Sequence, residues 1–132
     1  MVVRVRKLPL GRSPLLPVGV LRNVLILARE EVVAALLGLM VELRGMQPKF
    51  LGEEESVADA VEREGAAPVL IDCDHPDCTE DIIATIRKVG GDPVLFSPYR
   101  LQTEVTRLAS RYGVKSFTLP TDPDTFARLL KS

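Results

Sequence analysis

From residue 22 onward, short unbroken apolar runs alternate with longer stretches in which apolar residues recur every three or four positions. The first run, NVLIL at 23–27, has the length of a strand. Over 30–44, Val33, Leu36, Leu37, Met40 and Leu43 follow at helical spacing, and Gly45 stops them. PKFLG at 48–52 reads as a short strand closed by glycine. Residues 53–64 read as an acidic helix with Val57, Ala60 and Val61 inward and Gly65 at its end. Glu53, Glu54 and Glu55 fall in its first turn, where negative charge suits the helix dipole. Further strands are predicted at PVLID (68–72), PVLFS (93–97) and VKSFTL (114–119). Between them lie helices over 79–89, with Ile82, Ile83, Ile86 and Val89 on one face, and 100–112, with Leu101, Val105, Leu108 and Tyr112. Gly90–Gly91 and Gly113 are their stops. A last helix opens at TDPD, where Asp122 can cap and Pro123 suits the first turn; it buries Phe126, Leu129 and Leu130.

These are five strand–helix units in strict alternation. Strands that are apolar throughout are expected where helices cover both faces of a sheet. With right-handed crossovers, the pattern predicts an α/β, flavodoxin-like, doubly wound five-stranded parallel sheet of order 2-1-3-4-5 with helices on both faces. Ligands of such sheets sit beyond the carboxyl ends of the strands. Asp72 ends the third, central strand.

With 132 residues the chain is long enough for one substantial core. The domain is expected over 22–132, preceded by a basic arm at 1–21. No apolar run reaches the ~18–20 residues of a membrane span. The longest, 32–41, is flanked by Glu30, Glu31, Glu42 and Arg44. Pro14 and Pro17 interrupt the apolar part of the arm and no small-residue cleavage site follows, which argues against a secretory leader. Two cysteines make no disulfide framework, so a cytoplasmic setting is expected.

The net charge of −1 conceals an asymmetry. Residues 1–29 carry Arg4, Arg6, Lys7, Arg12, Arg22 and Arg29 and no acid; residues 30–132 carry eleven basic and eighteen acidic side chains, a net of −7. The arm has no interleaved aromatics and no nucleic-acid module, so contact with its own acidic body, a protein partner or a second subunit is expected in preference to nucleic acid.

The stretch LIDCDHP, 70–76, sharpens the reading. Together with the order of elements and Pro120 after the fifth strand, it resembles the receiver domains of two-component response regulators. There the third strand ends in a phospho-accepting aspartate followed shortly by a proline. The resemblance covers 22–132 and implies a role in bacterial signal transduction. It makes Asp72 the phospho-acceptor equivalent, Pro76 the proline and Ser97 the hydroxyl ending strand four. It also puts the Asp74 carbonyl at a metal-ligand position. It implies Mg2+ as cofactor, because a carboxylate attacking a phosphoryl group needs compensating positive charge.

The sequence departs from that pattern at two places. Ala28 and Arg29 stand where an acidic pair is expected, and Leu119 precedes Pro120 where a lysine is expected. Asp72, Asp74 and Glu30 remain as weak candidate ligands, too few carboxylates for a hard cation, so no bound cofactor is expected. The Arg29 guanidinium is expected to pair with Asp72 and lock the domain in one state.

The expected function is therefore an atypical receiver-like domain, not an enzyme. It acts through phosphorylation-independent contact with signalling partners and forms a possible homodimer. Tyr99, Arg100 and Phe117 are the interface candidates. One alternative is a working phosphorelay receiver that accepts phosphate on Asp72 with an altered metal site. Another is a small α/β enzyme or ligand-binding domain built on the 72–78 loop. Cys73, His75 and Cys78 supply only three soft ligands, short of a zinc set. His75 lies in a carboxylate-rich loop that disfavours a cysteine thiolate.

Overall fold

The computed structural model describes residues 22–131; the arm at 1–21 lies outside the described residues. Five strands, β1 (Asn23–Leu27), β2 (Gln47–Lys49), β3 (Pro68–Asp72), β4 (Asp92–Ser97) and β5 (Lys115–Thr118), form one parallel sheet of order β2-β1-β3-β4-β5. The helices are α1 (Glu31–Leu43), α2 (Val57–Glu64), α3 (Glu80–Lys88), α4 (Gln102–Tyr112) and α5 (Pro123–Leu130). Alternate residues of each central strand feed opposite cores, as a period of two requires. Val24, Ile26, Leu70, Val94 and Phe96 pack with α1 and α5. Leu25, Leu27, Val69, Ile71 and Leu95 pack with α2, α3 and α4. The architecture and strand order are those the pattern predicts. No helix among the described residues is long and apolar enough to cross a membrane.

Several local expectations are corrected. The second strand is Gln47–Lys49, and Phe50 and Leu51 stand outside it, exposed. The second helix starts at Val57, not at 53, because Ser56 caps it by accepting the Asp59 amide at 3.0 Å. Glu53–Glu55 therefore lie in the preceding turn. Glu54 takes φ +64°, and Glu55 closes the turn by accepting the Gly52 amide at 2.7 Å.

The buried face of α1 is Val33, Leu37, Gly38 and Val41. Leu36 and Leu43, expected inward, are exposed, and Met40 is half-buried. Leu101 caps α4 with its side chain in solvent, and Ala109 joins Val105 in the buried face. α1 is apolar over more than half its circumference, which gives periodicity two registers to choose from, whereas in α4 only Leu101 departs, because it is the N-cap and precedes the first helical turn.

Candidate functional site

Asp72 ends β3 at the carboxyl edge of the sheet, 3% exposed, paired in register with Phe96 of β4. Its Oδ1 accepts the amide of Asp74 at 2.9 Å and its backbone carbonyl accepts the amide of His75 at 2.9 Å. The chain thus turns immediately after the strand, an Asx-type turn made by the aspartate itself. The loop closes further when the Asp77 amide donates to His75 Nδ1 at 3.0 Å and the Cys78 amide to the His75 carbonyl at 2.9 Å.

Ser97 ends β4, fully buried. Its Oγ accepts the amides of Tyr99 at 3.2 Å and Arg100 at 2.9 Å, which turns the β4–α4 connection back over the loop after β3. Because β3 and β4 are neighbours, Asp74 and Arg100 meet. Arg100 Nε lies 3.1 and 3.0 Å from the two oxygens of Asp74 and Nη2 lies 2.7 Å from Oδ1, a fork-to-fork pair. The guanidinium holds the Asp74 carboxyl below its ordinary range, and Asp74 raises Arg100 in turn.

Tyr99 is 73% exposed and donates its hydroxyl to Glu30 at 2.5 Å, a contact that raises the phenol. It bridges the loop after β4 to the start of α1. Burial, with the charge of Asp74 behind it, pushes the Cys73 thiol up; burial pushes Cys78 up to about 11. Neither cysteine is a poised nucleophile.

The expected ion pair between Arg29 and Asp72 is not formed. Arg29 is exposed, and among the described residues no ion pair joins it to Asp72. The guanidinium committed beside the aspartate is that of Arg100, and its partner is Asp74. A residue leaving a strand end can turn either way. Arg100 comes back over the sheet because Ser97 captures its amide. Adjacent strands carrying an acid and a base two and three residues past their ends were the available signal in the sequence.

Phe117 is corrected as well. It is 6% exposed, stacked on Phe96 with centroids 5.6 Å apart and edge-on to Phe126 at 5.5 Å. It is a core residue, not an interface residue. Ala28 is half-buried against the α1 and α5 core, as is Leu119, and Pro120 is exposed after a cis Leu119–Pro120 peptide.

The donor set does not fit a magnesium ion. Oxygens of Asp72 and Asp74 and the Cys73 sulfur lie within 4.8 Å of one another. The thiol is soft and raised, however, and both Asp74 oxygens face Arg100. Glu30 holds Tyr99. Magnesium requires near-octahedral oxygen ligation, and here only Asp72, with one oxygen already on the Asp74 amide, is a carboxylate without an ion-pair partner among the described residues of that trio.

No protein-family profile matches the chain, and no curated protein matches it. Solved structures do. A response regulator from Thermotoga maritima superposes with a TM-score of 0.65 at 14% identity, over 83% of this chain and 93% of that one. The receiver domain of a Pseudomonas aeruginosa sensor histidine kinase, solved with magnesium coordinated in its active-site cleft, gives 0.64 at 16% identity over 83% and 94%. A CheY-like receiver domain protein from Methanospirillum hungatei gives 0.61 at 16% identity over 82% and 89%. The class is thereby defined: this chain has the fold of the response-regulator receiver domain.

Proposed function

We propose that this chain is an atypical receiver-like signalling domain that works by protein–protein contact and without phosphorylation of Asp72. The observation that carries the reading is the fork-to-fork Arg100–Asp74 pair beside a buried Asp72. It sits in a site where Ala28, Arg29 and Leu119 occupy the positions of two acids and a lysine. A carboxylate whose neighbours offer no oxygen ligand set for a divalent cation, with Leu119 where a lysine would stand, lacks the groups that would offset the charge developing on a transferring phosphoryl group. The neutralising charge that is present is spent on Asp74.

The contact surface on this reading is the outer side of α4 and the turn before it. Tyr99 and Arg100 are exposed there, and Arg107 and Arg111 continue the same ridge, with Glu104 between Arg100 and Arg107. A ridge of three arginines suits a partner that presents carboxylates.

The test is incubation of the full chain with magnesium and acetyl phosphate, or with beryllofluoride, alongside an Asp72→Asn control. The intact mass should stay unchanged and the amide shifts of Asp72, Asp74 and Ser97 should not respond to magnesium. A saturable mass increase that the Asp72→Asn chain lacks would return the site to phosphoryl chemistry.

A further inference from the structure

The outer side of α1 carries Val32, Leu36, Leu39 and Leu43, which are 73, 47, 53 and 67% exposed. The core does not need them, since α1 already buries Val33, Leu37 and Val41. No charged residue occurs from Val32 to Val41, so the outward side has none of the charged positions that a solvated helix face carries. The four residues are spaced four, three and four apart, the spacing by which one helix packs along another. Beside the stripe lies a groove of about 280 Å³, in which Leu36, Met40 and Leu43 face Leu119, Pro120 and Phe126. A contiguous apolar face of this kind marks a docking site.

We propose that this face is covered by the same face of a second copy of the chain, the two α1 helices running antiparallel about a two-fold axis. Two observations select this occupant, and a third sets its strength. The first is the fit of the stripe to itself. With the axis at the level between Leu37 and Gly38, Val32 lies opposite the partner's Leu43 and Leu36 opposite the partner's Leu39. Each contact then occurs twice, and a single stripe supplies both sides of the interface.

The second is charge. The seam between α1 and α5 is basic at one end, where Arg22, Arg44 and Lys131 border a further groove with Leu130. It is acidic at the other, where Asp122 and Asp124 stand exposed at the start of α5. An antiparallel pair keeps α5 of both copies on one flank and inverts its direction. The basic end of each copy therefore lies beside the acidic end of the other. A parallel pair would bring like ends to the same level.

The third is area. The thirteen residues of α1 rise roughly 20 Å, and a helix is about 10–12 Å wide. With the flank of α5 added, each copy buries on the order of 500 Å², short of the roughly 800 Å² per partner of a stable complex. The dimer is accordingly weak and reversible. It uses the side of the sheet covered by α1 and α5, so the α4 ridge on the other side stays open. The inference stands apart from the reading of Asp72.

Sedimentation equilibrium of the full chain, from micromolar to millimolar, tests it. The average mass should rise with concentration from one chain toward two. Leu39→Glu should hold it at one chain while the core methyls of Leu70 and Leu95 keep their NMR shifts. Two charge reversals read the direction of packing. Asp124→Lys and Lys131→Glu should each weaken self-association. An equimolar mixture of the two should associate more tightly than either alone, since only the mixed pair sets opposite charges together at both ends. A mass of one chain throughout would overturn the proposal and leave the face to a partner of another kind. So would a dimer that Leu39→Glu leaves intact, or a mixture that associates no better than its components.

Discussion

Asp72 and Asp74 are two residues apart, yet one is buried with a single amide on Oδ1 and the other is half-buried and clasped by a guanidinium. The pair makes a definite prediction. Arg100→Gln should let the Asp74 carboxyl titrate at a higher pH, read by carboxyl carbon NMR, because its largest depressing influence is gone. The sign follows from linkage. A carboxylate depressed by folding contributes stability above its unfolded value and loses it as pH falls through the folded one. Arg100→Gln should therefore flatten the acid limb of the stability curve.

The same residues predict a gain of function. Ala28→Asp, Arg29→Asp and Arg100→Gln combined should produce a magnesium-dependent shift of the Asp72 amide that, on the proposed reading, the unaltered chain should not show. That Ala28, Arg29 and Leu119 stand at these places is legible in the sequence, because they are identities at fixed places relative to strand ends. The partner of Asp74 was not, because it depends on which way the chain leaves β4. That direction is set by two amides on the Ser97 hydroxyl.

At the scale of elements, the entry to α2 shows how a short polar stretch overrides a charge pattern. Three glutamates favour a helix start, but Ser56 accepts an amide with its side chain and so fixes the first turn at Val57, four residues beyond the predicted start. Ser56→Ala should cost about 1 kcal/mol in chemical denaturation. Glu55 ties this turn to α2 through Arg63 at 2.8 Å, a contact that with the Gly52 amide lowers Glu55 to about 2. Its contribution is complete above its ordinary 4.5 and lost as pH falls toward 2. Glu55→Gln should accordingly narrow the stability difference between pH 5 and pH 2, measured by urea unfolding at each.

The end of α3 is tied in a different way. A Cβ on Gly91 would lie 2.9 Å from Ile86 Cγ2 and 3.1 Å from the Ala67 carbonyl. Gly91→Ala should therefore cost about 1–3 kcal/mol through overpacking. Gly90–Gly91 reads in the sequence only as a stop, since close approach to the Ala67 carbonyl just before β3 is a tertiary fact.

Across the whole molecule, strand order determines where structure is held most firmly. β1, β3 and β4 are bordered by strands on both sides and buried along nearly their entire length. β2 is a three-residue edge with a proline in its middle, and none of its residues is fully buried. The strand order was legible because five apolar runs separated by helices admit few right-handed parallel arrangements. The precise helix faces were not, since α1 is apolar on the side it buries and on much of the side it exposes.

This architecture predicts a gradient in native-state hydrogen exchange. Amides of Leu25, Ile26, Leu70 and Leu95 should exchange only on global unfolding, while Gln47 and Lys49 exchange through local opening at much lower free energy. The stack of Phe96, Phe117 and Phe126 couples β4, β5 and α5 across one face. Phe117→Ala should remove about 3–5 kcal/mol, lowering Tm by on the order of 10–20 °C. It should also bring the amides of β5 and α5 into the locally exchanging class while β1 and β3 stay at the global limit. If β1 and β3 loosened with them, the two faces of the sheet would be a single cooperative unit, and a partner bound at α4 would have no soft edge through which to act.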